Sequence, residues 1–139
     1  MHVSPFSLER QLSEIGQDIE DAVLRVIKSG NYIGGKEVDE FESAFAEMIH
    51  VAHVVGCNSG TDALILALRA LNIGPGDEVI TASFSFFATA EAISNVGAKP
   101  VFIDVDPRSY LMDVQLIEQA ITKKTKAILP VHLYGHPLD

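Results

Sequence analysis

Several residue types are scarce in this sequence of 139 residues. It has one cysteine, Cys57, and no tryptophan, and its 10 lysines and arginines are outnumbered by 19 aspartates and glutamates. A single cysteine excludes an internal disulfide and a cysteine metal cluster. The formal net charge of −9 disfavours a surface built to bind nucleic acid or anionic lipid. An anionic ligand would therefore have to be held by a local group of donors.

Long apolar runs are also missing. No stretch approaches the ~18 apolar residues of a membrane span, and the first ten residues show no basic region followed by an apolar run, as a secretory signal would. We therefore expect a soluble cytoplasmic protein with neither a membrane nor a nucleic acid as partner. Its 47% hydrophobic content is enough for one α/β domain with a real core.

The first third of the chain is helical in pattern. Apolar residues at helical spacing predict one helix over residues 17–29, ended by Gly30, and a second over residues 36–49. Residues 31–35 between them have the composition of an irregular loop. Because both helices precede the first predicted strand, we expect residues 1–50 to form an N-terminal helical arm with a loop, and residues 51–139 to form a separate α/β part.

From residue 51 onwards, short apolar runs alternate with helical segments. The predicted strands are 51–57, 78–81, 100–104 and 126–131, and the predicted helices lie near 61–71, 86–96 and 113–121. This alternation predicts a three-layer α/β/α fold with a mainly parallel sheet. Ligands of such sheets bind at the carboxyl ends of the strands, where residues 58–61, 83–86 and 131–135 are expected to lie.

The third predicted helix is unusual because Arg69 is the one polar residue between Ala63 and Leu71. A helix that is apolar all round is normally buried on all sides. We therefore expect further protein, either additional sequence or a partner subunit, to cover it.

Asn58-Ser59-Gly60-Thr61 lies between a predicted strand and a predicted helix. The first turn of a helix can bind a phosphate, because its N–H groups are free and the positive end of the helix dipole lies there. Gly60 would let the backbone approach the anion closely. The alternative is a plain N-cap by Asn58 or Ser59, and the carboxylate of Asp62 would have to point away from an anion. The segment is neither a dinucleotide fingerprint nor a Walker loop.

Three phenylalanines, Phe84, Phe86 and Phe87, follow the second predicted strand. They cannot all face one side, so one ring can point into the crevice above the sheet and stack on a planar cofactor. Packing in the core is the alternative for each of them.

Other potential ligand residues have simpler explanations. Asp104-Val105-Asp106 has the spacing of a metal motif, but Pro107 directly after it favours a turn. His132 and His136 lack a third ligand or carboxylate in the sequence nearby, so they indicate at most a histidine lining a pocket. Cys57 is expected to be a small core residue. We predict no metal site.

The motifs together resemble the opening of the DegT/StrS-type nucleotide-sugar aminotransferases. The resemblance runs from about residue 5 to the last residue, in the order and spacing of the family. It rests on residues 31–35 (NYIGG), 59–64 (SGTDAL), 74–81 (GPGDEVIT), 86–90 (FFATA) and 130–135 (PVHLYG).

This resemblance implies the large domain of the aspartate-aminotransferase fold and a homodimer that transfers an amino group from glutamate to a keto group on a nucleotide-linked sugar. The implied cofactor is pyridoxal 5'-phosphate. By position, Ser59, Gly60 and Thr61 would hold its phosphate and Phe86 would stack on its ring. Tyr32, Ile33 and Gly34 would lie on the substrate side.

The resemblance also implies that the Schiff-base lysine and the acid that pairs with the pyridinium nitrogen lie beyond Asp139. No catalytic residue is therefore expected in this chain, and we expect it to be a fragment. Two alternatives remain open: a pyridoxamine-phosphate-dependent sugar dehydratase, in which a histidine replaces the lysine, and a non-catalytic relative that retains the fold for regulation or binding.

Overall fold

A computed structural model describes residues 6–139, and it divides the chain into two compact units that meet between Gly56 and Cys57. The first unit contains helices α1, Glu9–Ser29, and α2, Lys36–Met48. Gly30 follows α1 in the left-handed conformation, with φ of 70°, as expected for a helix stop.

Helix α1 begins eight residues earlier than predicted. Leu8, Leu12 and Ile15 continue the apolar spacing of the helix toward its amino end, and Arg10 pairs with Glu14 one turn later at 3.3 Å. Both features favour helix over residues 9–16. None of the helices in residues 6–139 is long and apolar enough to cross a membrane.

The second unit has a three-stranded parallel sheet with helices on both faces. The strands are β1, Glu78–Ala82, β2, Lys99–Ile103, and β3, Thr125–Leu129, in the order β2-β1-β3. The helices are α3, Gly60–Ala70, α4, Phe87–Asn95, and the short α5, Ile117–Ala120, which follows a single 3₁₀ turn at residues 114–116. The predicted α/β/α class with a parallel sheet is confirmed.

Central strand β1 organises two cores because all five of its residues are buried. Val79 packs on one face with Leu68 of α3 and Ile93 of α4. Ile80, on the other face, packs with Met112 and with the residues around α5. Thr81 is fully buried, and its Oγ1 donates a hydrogen bond of 2.8 Å to the carbonyl of Leu129. The burial of β1 on both faces is what requires helices on both sides.

The predicted strand at residues 51–57 is wrong. This segment lies outside the three strands, and Val51 and Val55 are 45% and 80% exposed. A strand exists only where its backbone groups pair with a neighbour, and none of the three described strands pairs with this segment. Its backbone is instead held at Gly56, whose N–H donates to the carboxylate of Glu42 on α2 at 2.6 Å.

Gly97 closes the turn between α4 and β2 under two constraints. Its φ is +84°, which disfavours a side chain, and a Cβ there would lie 2.9 Å from Cγ of Pro75. Gly76 has a φ of +93° but open space around the same position. The two glycines therefore share the backbone constraint and differ in the steric one.

We predict that Gly97→Ala destabilises the protein more than Gly76→Ala. Gly76→Ala should cost about 1 kcal/mol for the left-handed backbone, and Gly97→Ala should cost roughly 1 kcal/mol more because Pro75 must move. Urea denaturation of the two variants measures the difference. Equal losses in the free energy of unfolding would show that Pro75 does not restrain the turn.

Candidate functional site

The start of helix α3 lies at the carboxyl edge of the sheet. Leu68, near the end of the helix, packs in one cluster with Val79, near the amino end of β1, and Ala98, directly before β2. Helix α3 therefore runs antiparallel to the strands, and its first turn points toward the edge where ligands bind in parallel sheets.

Ser59 caps this helix. Its Oγ accepts a hydrogen bond from the N–H of Asp62 at 3.1 Å and donates one to the Asp62 carboxylate at 2.9 Å. Of the two alternatives, Asn58 and Ser59, the cap is therefore Ser59. The carboxylate of Asp62 is held by this contact, and the Ser59 hydroxyl proton is already used.

Two backbone donors of the first turn stay open. The N–H groups of Gly60 and Thr61 make no hydrogen bond to any of residues 6–139, and nothing lies within 4 Å of the place where a Cβ of Gly60 would be. The first helical turn therefore has one capped N–H group, that of Asp62, and two open ones, those of Gly60 and Thr61. The helix can therefore be capped and bind an anion at the same time. Ser59 supplies the cap, and Gly60 and Thr61 offer main-chain donors to the anion.

Cys57 precedes this turn and is exposed, so the expectation that it is a core residue is wrong. Its Sγ contacts the carbonyl of Ser59 at 3.4 Å. The predicted strand at 51–57 would have buried it, and that strand is absent from the described fold.

The three phenylalanines after β1 have different surroundings. Phe84 packs against Tyr110, with ring centroids 6.1 Å apart. Phe86 occupies the N-cap position of α4 and is 79% exposed, and Phe87 begins the helix and is 73% exposed. The ring of Phe84 therefore already packs against another ring, whereas the ring of Phe86 is exposed near the carboxyl end of β1 and could contact a ligand.

Residues 106–110 form a turn, in which the N–H of Tyr110 donates to the carbonyl of Asp106 at 2.8 Å. Oδ1 of Asp106 accepts hydrogen bonds from the N–H groups of Ser109 and Arg108 at 2.8 and 2.9 Å. These bonds, Ser109 first, hold the pKa of Asp106 below its usual value. Asp104 Oδ1 accepts from the N–H of Val105. The same Asp104 oxygen accepts from the hydroxyl of Ser83 at 3.4 Å. The His, Cys, Asp and Glu side chains of residues 6–139 form no group of three suited to a metal ion.

The two histidines have separate positions. His132 Nδ1 accepts a hydrogen bond of 2.9 Å from the N–H of Leu138. His136 lines a groove of about 370 Å³ together with Phe84, Tyr110 and Tyr134. The expectation that one histidine lines a pocket is confirmed for His136.

At the opposite, amino edge of the sheet lies a carboxylate that the sequence motifs did not reveal. Glu78 is 8% exposed, and its Oε2 accepts a hydrogen bond of 2.7 Å from the hydroxyl of Thr122. That bond first, and the nearby ammonium of Lys99, hold the pKa of Glu78 below its usual value. A charged residue opening an otherwise apolar strand was the available signal, because a buried carboxylate needs partners.

The predicted substrate-side residues belong to the first unit. The Tyr32 hydroxyl donates to the carbonyl of Ile27 at 3.0 Å, Ile33 is 94% exposed, and Gly34 has a φ of +64°. These three residues therefore form an ordered loop between α1 and α2. Their role toward a substrate remains a prediction.

The sequence profile of the DegT/DnrJ/EryC1/StrS aminotransferase family matches residues 13–139. The chain therefore belongs to this family.

Individual relatives agree with that assignment. The chain is 48% identical over 132 residues to UDP-2-acetamido-2-deoxy-3-oxo-D-glucuronate aminotransferase of Pseudomonas aeruginosa, covering 95% of this chain and 37% of the relative. The solved structure of S. venezuelae DesV superposes with a TM-score of 0.89 at 47% identity, over 96% of this chain and 36% of DesV.

A third relative has been solved with cofactor. Spr1654 from Streptococcus pneumoniae, solved in its PLP form, gives a TM-score of 0.80 at 41% identity, over 84% of this chain and 30% of that protein. The chain thus spans a little over a third, or less, of the length of the relatives it matches.

We predict that Ser59→Ala and Gly60→Ala separate the structural from the ligand-related part of this turn. Ser59→Ala should cost about 1 kcal/mol of stability because the cap is lost. Gly60→Ala should leave the free energy of unfolding unchanged or raise it by up to about 1 kcal/mol, because alanine favours helix and its Cβ meets open space. Chemical denaturation measures both values.

The contrary result is equally clear. A large loss of stability in Gly60→Ala would show that the backbone conformation itself requires glycine at this position. Ligand binding would then not be needed to explain why residue 60 is a glycine.

Proposed function

We propose that the protein is a pyridoxal-phosphate-dependent aminotransferase that acts on a nucleotide-linked keto sugar, with glutamate as amino donor. The observation that carries the proposal is the open first turn of α3, with free N–H groups at Gly60 and Thr61, in a chain of this aminotransferase family. One relative named above is an aminotransferase of a UDP-linked 3-oxo sugar, and another has been solved in a PLP form. When bound, pyridoxal phosphate supplies an electron sink for the exchange of an amino group.

The residues of the second unit fit the phosphate end of this cofactor. The N–H groups of Gly60 and Thr61 would donate to the phosphate, assisted by the positive end of the α3 dipole. Gly60 leaves the space that a close approach of the anion requires. Ser59 would act mainly by shaping the turn, because its hydroxyl proton is used by Asp62.

Phe86 would cover one face of the cofactor ring. Its ring is exposed at the carboxyl end of β1, whereas Phe84 is already packed against Tyr110. A flat apolar side chain there would orient the ring and exclude water from that face.

The covalent and proton-transferring groups are proposed to lie outside residues 1–139. Lys99 and Lys126 lie at the starts of β2 and β3, and Lys124 lies next to β3, all at the amino edge. Lys28 and Lys36 belong to the first unit, and Lys123 lies in an exposed turn. None of these six lysines follows the carboxyl end of a described strand, which supports the proposal.

We further propose that the enzyme is a cytoplasmic homodimer. Helix α3 and the residue after it expose apolar side chains to solvent, among them Leu66 and Leu71, which are 49% and 67% exposed. Apolar surface of this kind is normally covered by protein.

We predict that Phe86→Ala weakens binding of pyridoxal phosphate about fivefold to tenfold, the value of one aromatic stack. Both Phe86 and Phe87 are exposed, so Phe87→Ala is the matched control and should change the affinity less than about twofold. Absorbance titration of the full-length natural protein measures the cofactor Kd.

Addition of glutamate to the loaded protein tests the activity itself. The wild-type protein should show the absorbance change of amino transfer to the cofactor without any sugar present. No spectral response to glutamate would refute the aminotransferase proposal, and a greater loss of affinity in Phe84→Ala or Phe87→Ala than in Phe86→Ala would refute the assignment of the stacking residue.

A further inference from the structure

The turn between β1 and α4 departs from the usual rule for starting a helix. Phe86 occupies the N-cap position of α4, and its side chain makes no capping hydrogen bond. Serine is among the residues preferred at an N-cap, and Ser85 directly precedes Phe86. The helix nevertheless begins one residue later than a cap by Ser85 would require. A departure from local preference of this kind is typical of a functional position.

A pair of hydroxyl groups ties this turn together without a cap. Oγ of Ser85 and Oγ1 of Thr89 lie 2.8 Å apart, and either hydroxyl can be the donor. Thr89 is the third residue of α4, and the third residue of a helix often reaches back to the N-cap residue. Here its side chain reaches past Phe86 to Ser85, while its N–H donates to the carbonyl of Phe86 at 3.1 Å. Thr89 therefore holds both residues that enter the helix.

The Thr89 end of this contact is anchored in the core. Thr89 is 7% exposed, and Ala92 and Ile93, which follow it on α4, are fully buried and pack in one cluster with Val79 of β1. A buried hydroxyl without a partner would cost the full loss of its hydration. The Thr89 hydroxyl therefore restrains Ser85, and it does so from a part of the helix that cannot move freely.

The strand side of the turn is fixed as well. The N–H of Ser83 donates to the carbonyl of Ile103 at 2.8 Å, which continues the contact between β1 and β2. Phe86 lies between these two anchors with a φ of −71° and a ψ of 145°, and its ring is 79% exposed. Because the rotamers open to a side chain depend on its backbone angles, a fixed backbone limits the directions of the exposed ring.

We propose that Ser85 and Thr89 are positioning residues for Phe86, an inference that rests on the cofactor-stacking role proposed above for that ring. Their hydroxyl pair holds the turn in one conformation, so the ring is oriented at the carboxyl edge before a ligand arrives. Orientation in advance lowers the ordering cost of binding. Ser85 and Thr89 act on the cofactor only through Phe86.

The first test is the affinity of the full-length natural protein for pyridoxal phosphate, measured by absorbance titration. Thr89→Val removes the hydroxyl and keeps the branched shape, and it should weaken binding about threefold, less than the loss of the ring itself. Thr89→Ser retains the hydroxyl, so its Kd should stay within about 1.5-fold of the wild type. A Thr89→Ser variant as weak as Thr89→Val would overturn the proposal.

Thr81→Val is the matched control for a general loss of stability. Thr81 is fully buried in the same unit, and its Oγ1 also makes a hydrogen bond of 2.8 Å, to the carbonyl of Leu129. Its removal should lower the free energy of unfolding but change the cofactor Kd less than about 1.5-fold. Equal losses of affinity in Thr81→Val and Thr89→Val would show that stability alone is responsible.

Ser85→Ala guards against a folding defect in Thr89→Val. It removes the other hydroxyl of the pair and should also weaken cofactor binding about threefold, and the double variant should lose no more than either single one. Losses that multiply to about ninefold would show that the two hydroxyls act independently, which contradicts the proposal.

The dependence on Phe86 is the readout that a purely structural role would not change. In a Phe86→Ala background, Thr89→Val should alter the cofactor Kd less than about 1.5-fold, because no ring remains to be oriented. A threefold loss that persists in this background would overturn the proposal.

The absorbance response to glutamate separates this inference from the proposed function. A normal response in the wild type, with no effect of Thr89→Val on cofactor affinity, means that the positioning assignment fails alone. No response in the wild type, with a threefold loss in Thr89→Val that disappears in Phe86→Ala, means that the aminotransferase proposal fails while the positioning of Phe86 stands.

Discussion

The burial of strand β1 on both faces is the constraint on which the rest of the second unit depends. Val79 packs against the helices on one face, and Ile80 and Ala82 belong to the core on the other face, so helices must cover both sides. Chain connectivity then makes α3 and α4 run back along the sheet, which brings their first turns to its carboxyl edge. The open N–H groups of Gly60 and Thr61 and the exposed ring of Phe86 are consequences of that arrangement.

The amino edge of the sheet contains a buried carboxylate whose partners stabilise the fold. Glu78 enters the core region only because Thr122 and Lys99 satisfy its carboxylate, and both partners come from the amino ends of neighbouring segments. The buried carboxylate and its partners thus lie at the amino edge, and the open N–H groups of Gly60 and Thr61 lie at the carboxyl edge. This division is the physical basis for locating ligand chemistry at the carboxyl edge.

Much of this fold could be predicted from the sequence, because the signals are local. Alternation of short apolar runs with helical spacing predicted β1, β2 and β3, and Gly30 marked a helix end correctly. The errors concern features that depend on distant partners. An apolar run such as 51–57 becomes a strand only if another strand pairs with it, and the exposure of Cys57 follows from that. The partner of Glu78 likewise depends on tertiary placement.

The central claim is that the first turn of α3 holds the phosphate of the cofactor. A crystal structure of the full-length natural protein with pyridoxal phosphate tests it most directly. The account predicts phosphate oxygens within about 3 Å of the amide nitrogens of both Gly60 and Thr61, with Ser59 still capping Asp62. A phosphate bound elsewhere, or a side chain covering those two amides in the complex, would contradict the account.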